Sequence, residues 1–238
     1  MIRKATLEDL SFLKSFVSKD YPRNYFIALG LERGYSTFKD IYIGEEAVLF
    51  HRASGNLQFI NYGSDDGGFK ELIKSLEFNR LIGAKSMCDV LGLKVDYYGA
   101  IISKLDRKNY EYEMNDASII SLSDLYAIEN LYKKVFSGYP KANYMKDKLM
   151  SQRGTGYMIK KDGILSVAQS DFNILIVGVA TDPEYQRMGY AKECMMELMN
   201  EMFKKETSVY LQYDDLGAGK LYKSLGFKKV DQVVHYMR

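Results

Sequence analysis

The residues with the most to offer chemically are Gln186, Arg187, Met188, Gly189, Tyr190, Ala191 and Lys192, a glycine loop that leads into a long amphipathic stretch. Ala191, Met195, Leu198, Met199, Met202 and Phe203 recur at helical spacing, so the spacing predicts a helix beginning at the loop itself. The first turn of a helix holds N–H groups without intrahelical acceptors and the positive end of the macrodipole. A glycine there lets a phosphate approach the backbone closely. Residues 186–191 are thus a candidate pyrophosphate cradle, and Arg187 and Lys192 flank it where either can add a charge-assisted contact. A plainer reading stays open, in which Gly189 only permits a tight turn and both cations lie on a solvated face.

Other chemistry has little support. Cys88 and Cys194 are the only cysteines, too few for a disulfide framework or a zinc cluster, and His51 and His235 stand in no ligand spacing. No metal site is expected, and a reducing cytoplasm is. Cys194 falls inside the predicted amphipathic helix with no histidine partner, which reads as a buried structural thiol rather than a nucleophile.

The elements that position the loop follow from its surroundings. Residues 174–181 form the longest apolar run, of strand length and β-branched, and Pro183 stops it because a proline has no ladder donor. Downstream, residues 209–213 read as a second strand, 217–225 as a short helix, and a further strand follows Gly226.

With these in order, VATDPEYQRMGYA followed about thirty residues later by LYKSLGF resembles the GNAT superfamily of acyl-CoA-dependent N-acyltransferases. Gln186, Gly189 and Ala191 match its Q/R-x-x-G-x-G/A loop, and Tyr222, Gly226 and Phe227 match its LYxxxGF element. The resemblance covers residues 118–230. It implies a mixed, mostly antiparallel sheet flanked by helices, with acetyl-CoA as acyl donor and an unidentified primary amine attacking directly in a ternary complex. It further implies that the pantetheine arm pairs with Val177, Gly178, Val179 and Thr181. The pyrophosphate is expected on the backbone of Arg187, Met188, Gly189, Tyr190, Ala191 and Lys192. Tyr222 is expected to donate a proton to the departing thiolate. Asp215 stands where the family usually has asparagine, which leaves its cofactor contact open. The family's frequent strand glutamate is missing from residues 209–213. Asp171, Asp214 and Glu184 lie nearby and read as solvated turn residues, so the general base is unassigned. That missing carboxylate supports a rival, an acyl-CoA-binding sensor.

The chain also repeats itself. Helical segments alternate with short β-rich runs throughout, a mixed α/β pattern. Thr6 and Asp9 open a helix in the first half as Ser121 and Asp124 do in the second, both at an offset of 115, and Asn56 matches Asn173 at 117. Two tandem domains are expected, 1–112 and 117–238, joined over the charged residues 106–116. The first half lacks the glycine loop: residues 64–68, SDDGG, put two carboxylates where a phosphate would sit, and residues 80–84 are at most a remnant of the motif. It reads as a degenerate copy without CoA.

Composition sets the outer bounds. Charged residues make up 27% and hydrophobic ones 47%, ordinary for a globular chain, and 33 basic against 31 acidic side chains leave a net charge of +2. So small a charge gives no field to gather nucleic acid or acidic membrane, and the expected partner is a small-molecule or peptide amine. Charges at Arg3, Lys4, Glu8 and Asp9 break up any export signal. A monomer or a homodimer fits equally.

Overall fold

A computed structural model describes residues 1–111 and 114–238. Two compact units divide the chain, Met1–Ile102 with Lys229–Arg238, and Ser103–Lys228. In chain order the elements are β1 (Arg3–Lys4), α1 (Leu10–Ser18), α2 (Tyr21–Glu32), β2 (Phe38–Ile43), β3 (Ala47–Arg52), β4 (Leu57–Asn61), α3 (Phe69–Ser75), β5 (Arg80–Ala84), α4 (Lys85–Cys88) and β6 (Tyr97–Asp106). They continue with β7 (Ser118–Ile119), α5 (Leu125–Val135), α6 (Ala142–Met150), β8 (Gly156–Lys160), β9 (Ile164–Asp171), β10 (Leu175–Thr181), α7 (Tyr190–Met202), β11 (Ser208–Tyr213), α8 (Leu216–Ser224) and β12 (Lys228–Met237). Among the described residues no helix is long and apolar enough to cross a membrane.

The first unit orders its strands β1-β2-β3-β4-β5-β12-β6, and the second runs from the end of β6 through β11, β10, β9 and β8 to β7. β4/β5 and β10/β11 pair in parallel, and the other strand pairs with a described register are antiparallel. The architecture is therefore the mixed, mostly antiparallel sheet with flanking helices that the sequence implied.

The two units are built alike. The N–H of Thr6 donates to Asp9 Oδ2 at 2.8 Å, and the N–H of Ser121 to Asp124 Oδ2 at 3.0 Å, so both halves open with the same reciprocal capping box. Each then folds a hairpin, β3–β4 or β9–β10, whose second strand pairs in parallel with the next. Leu49, Leu57, Phe59, Phe69 and Leu81 fill the first core, and Ile128, Leu131, Met145, Met158 and Val167 lie in the second.

Two expectations differ from this. The expected boundaries placed residues 229–238 in the second half, yet Val234 and Tyr236 of β12 are buried in the first unit's core, with β12 antiparallel to β5. Alternation fixes which face of a strand is apolar but not which sheet it joins. The expected junction at 106–116 includes residues 112 and 113, outside the described residues. At its other end Tyr110 packs on Phe203 and donates to Met196 O at 3.0 Å. Residues 80–84 are a strand rather than a loop remnant. A Cβ on Gly83 would meet Cys88 Sγ at 2.5 Å, so that glycine serves close packing.

Candidate active site

The site begins with an irregularity in β10. Leu175, Ile176 and Val177 pair with Asp171, Ser170 and Gln169 of β9, and the register then shifts so that Ala180 opposes Val167. One extra residue is thus inserted at Gly178 and Val179, a β-bulge, and Gly178 takes φ +57 within it. On the other side the parallel register with β11 covers only Leu175↔Tyr210 and Ile176↔Leu211. From Val177 onward β10 presents an edge, and Val177, Gly178, Val179 and Thr181 are half-buried. An open strand edge is a template for an extended ligand that pairs with backbone groups.

The glycine loop follows. Asp182 anchors it, accepting from Glu184 N–H at 3.2 Å and from Lys134 Nζ at 2.6 Å. Arg187 at φ +64 and Gly189 at φ +92 turn the chain into α7, and Arg187 is in a region that non-glycine residues seldom occupy. Gly189 is the N-cap, without a capping side chain, and the first helical bond runs from Glu193 N–H to its carbonyl. The Tyr190 and Ala191 amides come before that bond and have no intrahelical acceptor. A Cβ on Gly189 would meet only Glu193 Oε1, at 3.8 Å, so the space over the loop is open. The first half contrasts with this. The carboxylates of Asp65 and Asp66 accept from the Gly67 and Lys70 amides at the start of α3, so this chain's own side chains fill the anion position.

The third part is α8. Asp215 caps it, accepting from Ala218 N–H at 2.6 Å, which accounts for the carboxylate by helix capping alone. Tyr222 sits in its last turn, 7% exposed, edge-on to Tyr213 at 5.2 Å and Phe227 at 6.3 Å. Its hydroxyl has no hydrogen-bond partner among the described residues. Burial, then Asp215 and Tyr213, pushes its pKa up to about 12.

One cleft of about 880 Å³ brings these parts together, with Val179, Thr181, Gly189, Lys192, Asp215 and Tyr222 among its walls. Arg187, Tyr190 and Ala191 line it too, whereas Val177, Gly178 and Met188 do not. Tyr185 and Lys220 are walls that the sequence reading passed over. Lys220 carried a signal, since it lies two residues before Tyr222 and gives the cleft a third cation beside Arg187 and Lys192. Three cations and exposed helix amides suit a polyanion.

Residues 122–227 match the model of the Acetyltransferase (GNAT) family. The second unit carries a GNAT domain. The match over these residues implies acyl transfer from an acyl-CoA. No curated protein sequence matches the chain. Solved structures share its fold at low identity. An acetyltransferase from the GNAT family of Colwellia psychrerythraea aligns over 100% of this chain and 99% of its own, with TM-score 0.72 and 13% identity. A GCN5-related N-acetyltransferase from Kribbella flavida aligns over 94% of each chain, with TM-score 0.60 and 14% identity. A tandem GNAT protein from the clavulanic acid biosynthesis pathway, solved without AcCoA, aligns over 100% of this chain and 98% of its own, with TM-score 0.61 and 10% identity.

Behind β10 the GNAT domain holds polar residues that sequence inspection missed. Tyr132 of α5 is fully buried and donates to Gly178 O at 2.8 Å. Gln169 of β9 donates to the Tyr132 hydroxyl at 2.6 Å, and Lys148 of α6 donates to Gln169 Oε1 at 2.7 Å. Asp171, expected at a solvated turn, is instead fully buried at the end of β9, where it accepts from Arg153 Nε at 2.7 Å and Tyr144 at 2.8 Å. An ion pair with hydrogen bonds on both carboxylate oxygens makes that burial tolerable. Asp214 and Glu184 are exposed. Cys194 is buried, and burial pushes its pKa up to about 11. Asp215 is the one carboxylate among the described cleft walls.

Proposed function

We propose that this GNAT domain transfers an acetyl group from acetyl-CoA to a primary amine of a small molecule or peptide, by direct attack with both substrates bound. The observation that carries this reading is the single cleft joining the open edge of β10, the N-terminus of α7 and the Tyr222 hydroxyl. Acetyl-CoA brings the activated acyl carbon. Nitrogen bonds to that carbon, the C–S bond breaks, the amine gives up one proton and the departing thiolate takes one up.

The chain's residues divide the remaining work. Amides from Arg187 to Lys192 hold the pyrophosphate, helped by the Arg187, Lys192 and Lys220 charges. The edge from Val177 to Thr181 pairs with the pantetheine amides. A backbone N–H in the bulge polarises the thioester oxygen, a contribution of about 3–4 kcal/mol for a well-placed donor. Tyr222 faces the leaving sulfur. A thiol near ~8.5 and a phenol at about 12 differ by roughly 3.5 units, so full proton transfer runs uphill by about 5 kcal/mol. The role assigned to Tyr222 is accordingly a hydrogen bond that strengthens as charge gathers on sulfur, with the proton following from the phenol or from solvent once the bond breaks.

The first half, its anion position filled by Asp65 and Asp66, holds no cofactor in this reading, and the protein works in a reducing cytoplasm as a monomer or homodimer. The test is CoA release and product mass across amine classes for wild type and Tyr222→Phe. Amine-dependent release that falls at least tenfold in the variant supports the assignment. A rate within twofold of wild type removes Tyr222 from the chemistry, and no transfer to any amine class removes the enzyme.

A further inference from the structure

Lys148 is 2% exposed, and its ammonium has one hydrogen bond among the described residues, to an uncharged amide oxygen. A leucine or methionine would fill such a site without the cost of burying a charge. The carboxylate whose charge acts on it, Asp171, is already paired with Arg153 and hydrogen-bonded by Tyr144. What the ammonium does have is a directed connection to the bulge of β10.

The direction is set by the donor inventory. An ammonium can only donate, so the Gln169 oxygen must face Lys148 and its NH₂ must face Tyr132. The Tyr132 hydroxyl accepts from that NH₂ and has its proton left for Gly178 O. Each bond in such a chain polarises the next. The last acceptor is the carbonyl of the peptide whose N–H belongs to Val179, a wall of the cleft. Withdrawing electron density at a peptide oxygen makes the N–H of the same peptide a stronger donor.

We infer that Lys148 and Tyr132 are positioning residues for acyl transfer: through Gln169 they fix the Gly178 peptide in the bulge and strengthen the Val179 N–H as donor to the thioester oxygen. This rests on the acyl-transfer reading above. The titratable and charged groups around Lys148 are Asp171 on β9, Arg153 in the turn after α6, Tyr144 on α6 itself and Tyr132 on α5, with Cys194 of α7 beyond Tyr132. Burial lowers the Lys148 pKa to about 8, Arg153 adds to that, and Asp171 opposes it.

The first test uses the full chain without substrate and follows the Val179 amide ¹⁵N shift from pH 6.5 to 9.5. The shift is expected to titrate with a midpoint near 8 in wild type and to lose that step in Lys148→Met and Tyr132→Phe. A Val179 shift without that step in wild type overturns the inference, whatever the variants do. The second test is kinetic. Tyr132→Phe is expected to lower kcat about tenfold while the acetyl-CoA Kd stays within twofold. In wild type kcat falls as pH rises through 8, and the Lys148→Met profile lacks that limb. Equal kcat in wild type and Tyr132→Phe overturns the positioning role. A wild type that titrates as stated but acetylates no amine overturns acyl transfer instead, so the two failures are distinguishable.

Discussion

The Tyr132 hydroxyl lies 2.8 Å from the Gly178 carbonyl, to which it donates, and a Cβ built on Gly178 would strike that same hydroxyl. The glycine therefore meets two demands, a φ of +57 and the close approach of a phenol from α5. Gly178→Ala is expected to destabilise the second unit by about 2 kcal/mol from the left-handed backbone alone, lowering its melting temperature by roughly 4–8 °C. Adding Tyr132→Phe removes the oxygen that the new methyl strikes. Thermal denaturation of the two single variants and the double should show a total smaller than the sum, and strict additivity would mean that the contact has no energetic weight.

Gly189 and Met188 separate backbone from side-chain recognition. Met188 is exposed and not a wall of the cleft, whereas Gly189 combines φ +92 with open space above it. By calorimetry, Gly189→Val should raise the acetyl-CoA Kd at least ~tenfold, or about 1.4 kcal/mol, by crowding the loop. Met188→Ala should leave it within about twofold. The opposite order would place the phosphates elsewhere.

Lys148 gives a pH signature in stability. Its pKa falls from 10.5 to about 8 on folding, so below pH 8 both states are protonated and burial of the charge disfavours the fold in full. Between 8 and 10.5 the unfolded chain binds more protons, and stability rises with pH from this group. Wild type should therefore gain on Lys148→Met by about 3 kcal/mol between pH 7.5 and 10.5 in urea unfolding. A difference that stays constant over that range would show that the ammonium is not held in a low-dielectric site.

The two thiols should be silent. Cys88 and Cys194 are fully buried, with burial raising their pKa values to about 12 and about 11. Iodoacetamide at pH 8 should label neither in the native protein and both in guanidinium, because only the thiolate reacts. Rapid native labelling of Cys194 would reopen a covalent role for it.

Much of the site was legible because its parts are local. Gly189 before a helical apolar period, Pro183 after a β-branched run, and Tyr222 ahead of Gly226 and Phe227 each declare an element within a few residues. Thr6 with Asp9 and Ser121 with Asp124 declare the repeat in the same way. What stayed hidden depends on non-local pairing. Nothing near Val234 and Tyr236 says that β12 completes the first unit, and nothing near Gly178 says that β10 gains an extra residue against β9. Lys148 reads as an ordinary polar position on a weakly amphipathic helix, and Asp171 as a turn residue before Phe172 and Asn173. Each becomes a buried charge only when α5, α6 and β9 close over it. Lys220 was missed for a plainer reason, since a lysine near a helix end is most often solvated.

The proposed function requires one acyl-CoA site per chain, in the cleft of the second unit, that is used for transfer. The most direct measurement is a calorimetric titration of the full chain with acetyl-CoA, followed by addition of an amine panel to the saturated complex while free thiol is monitored. The expected result is a stoichiometry of one, weakened binding in Gly189→Val, and thiol released in step with acetylated amine. A stoichiometry of two, binding that survives Gly189→Val unchanged, or bound acetyl-CoA that no amine consumes would overturn the proposed function.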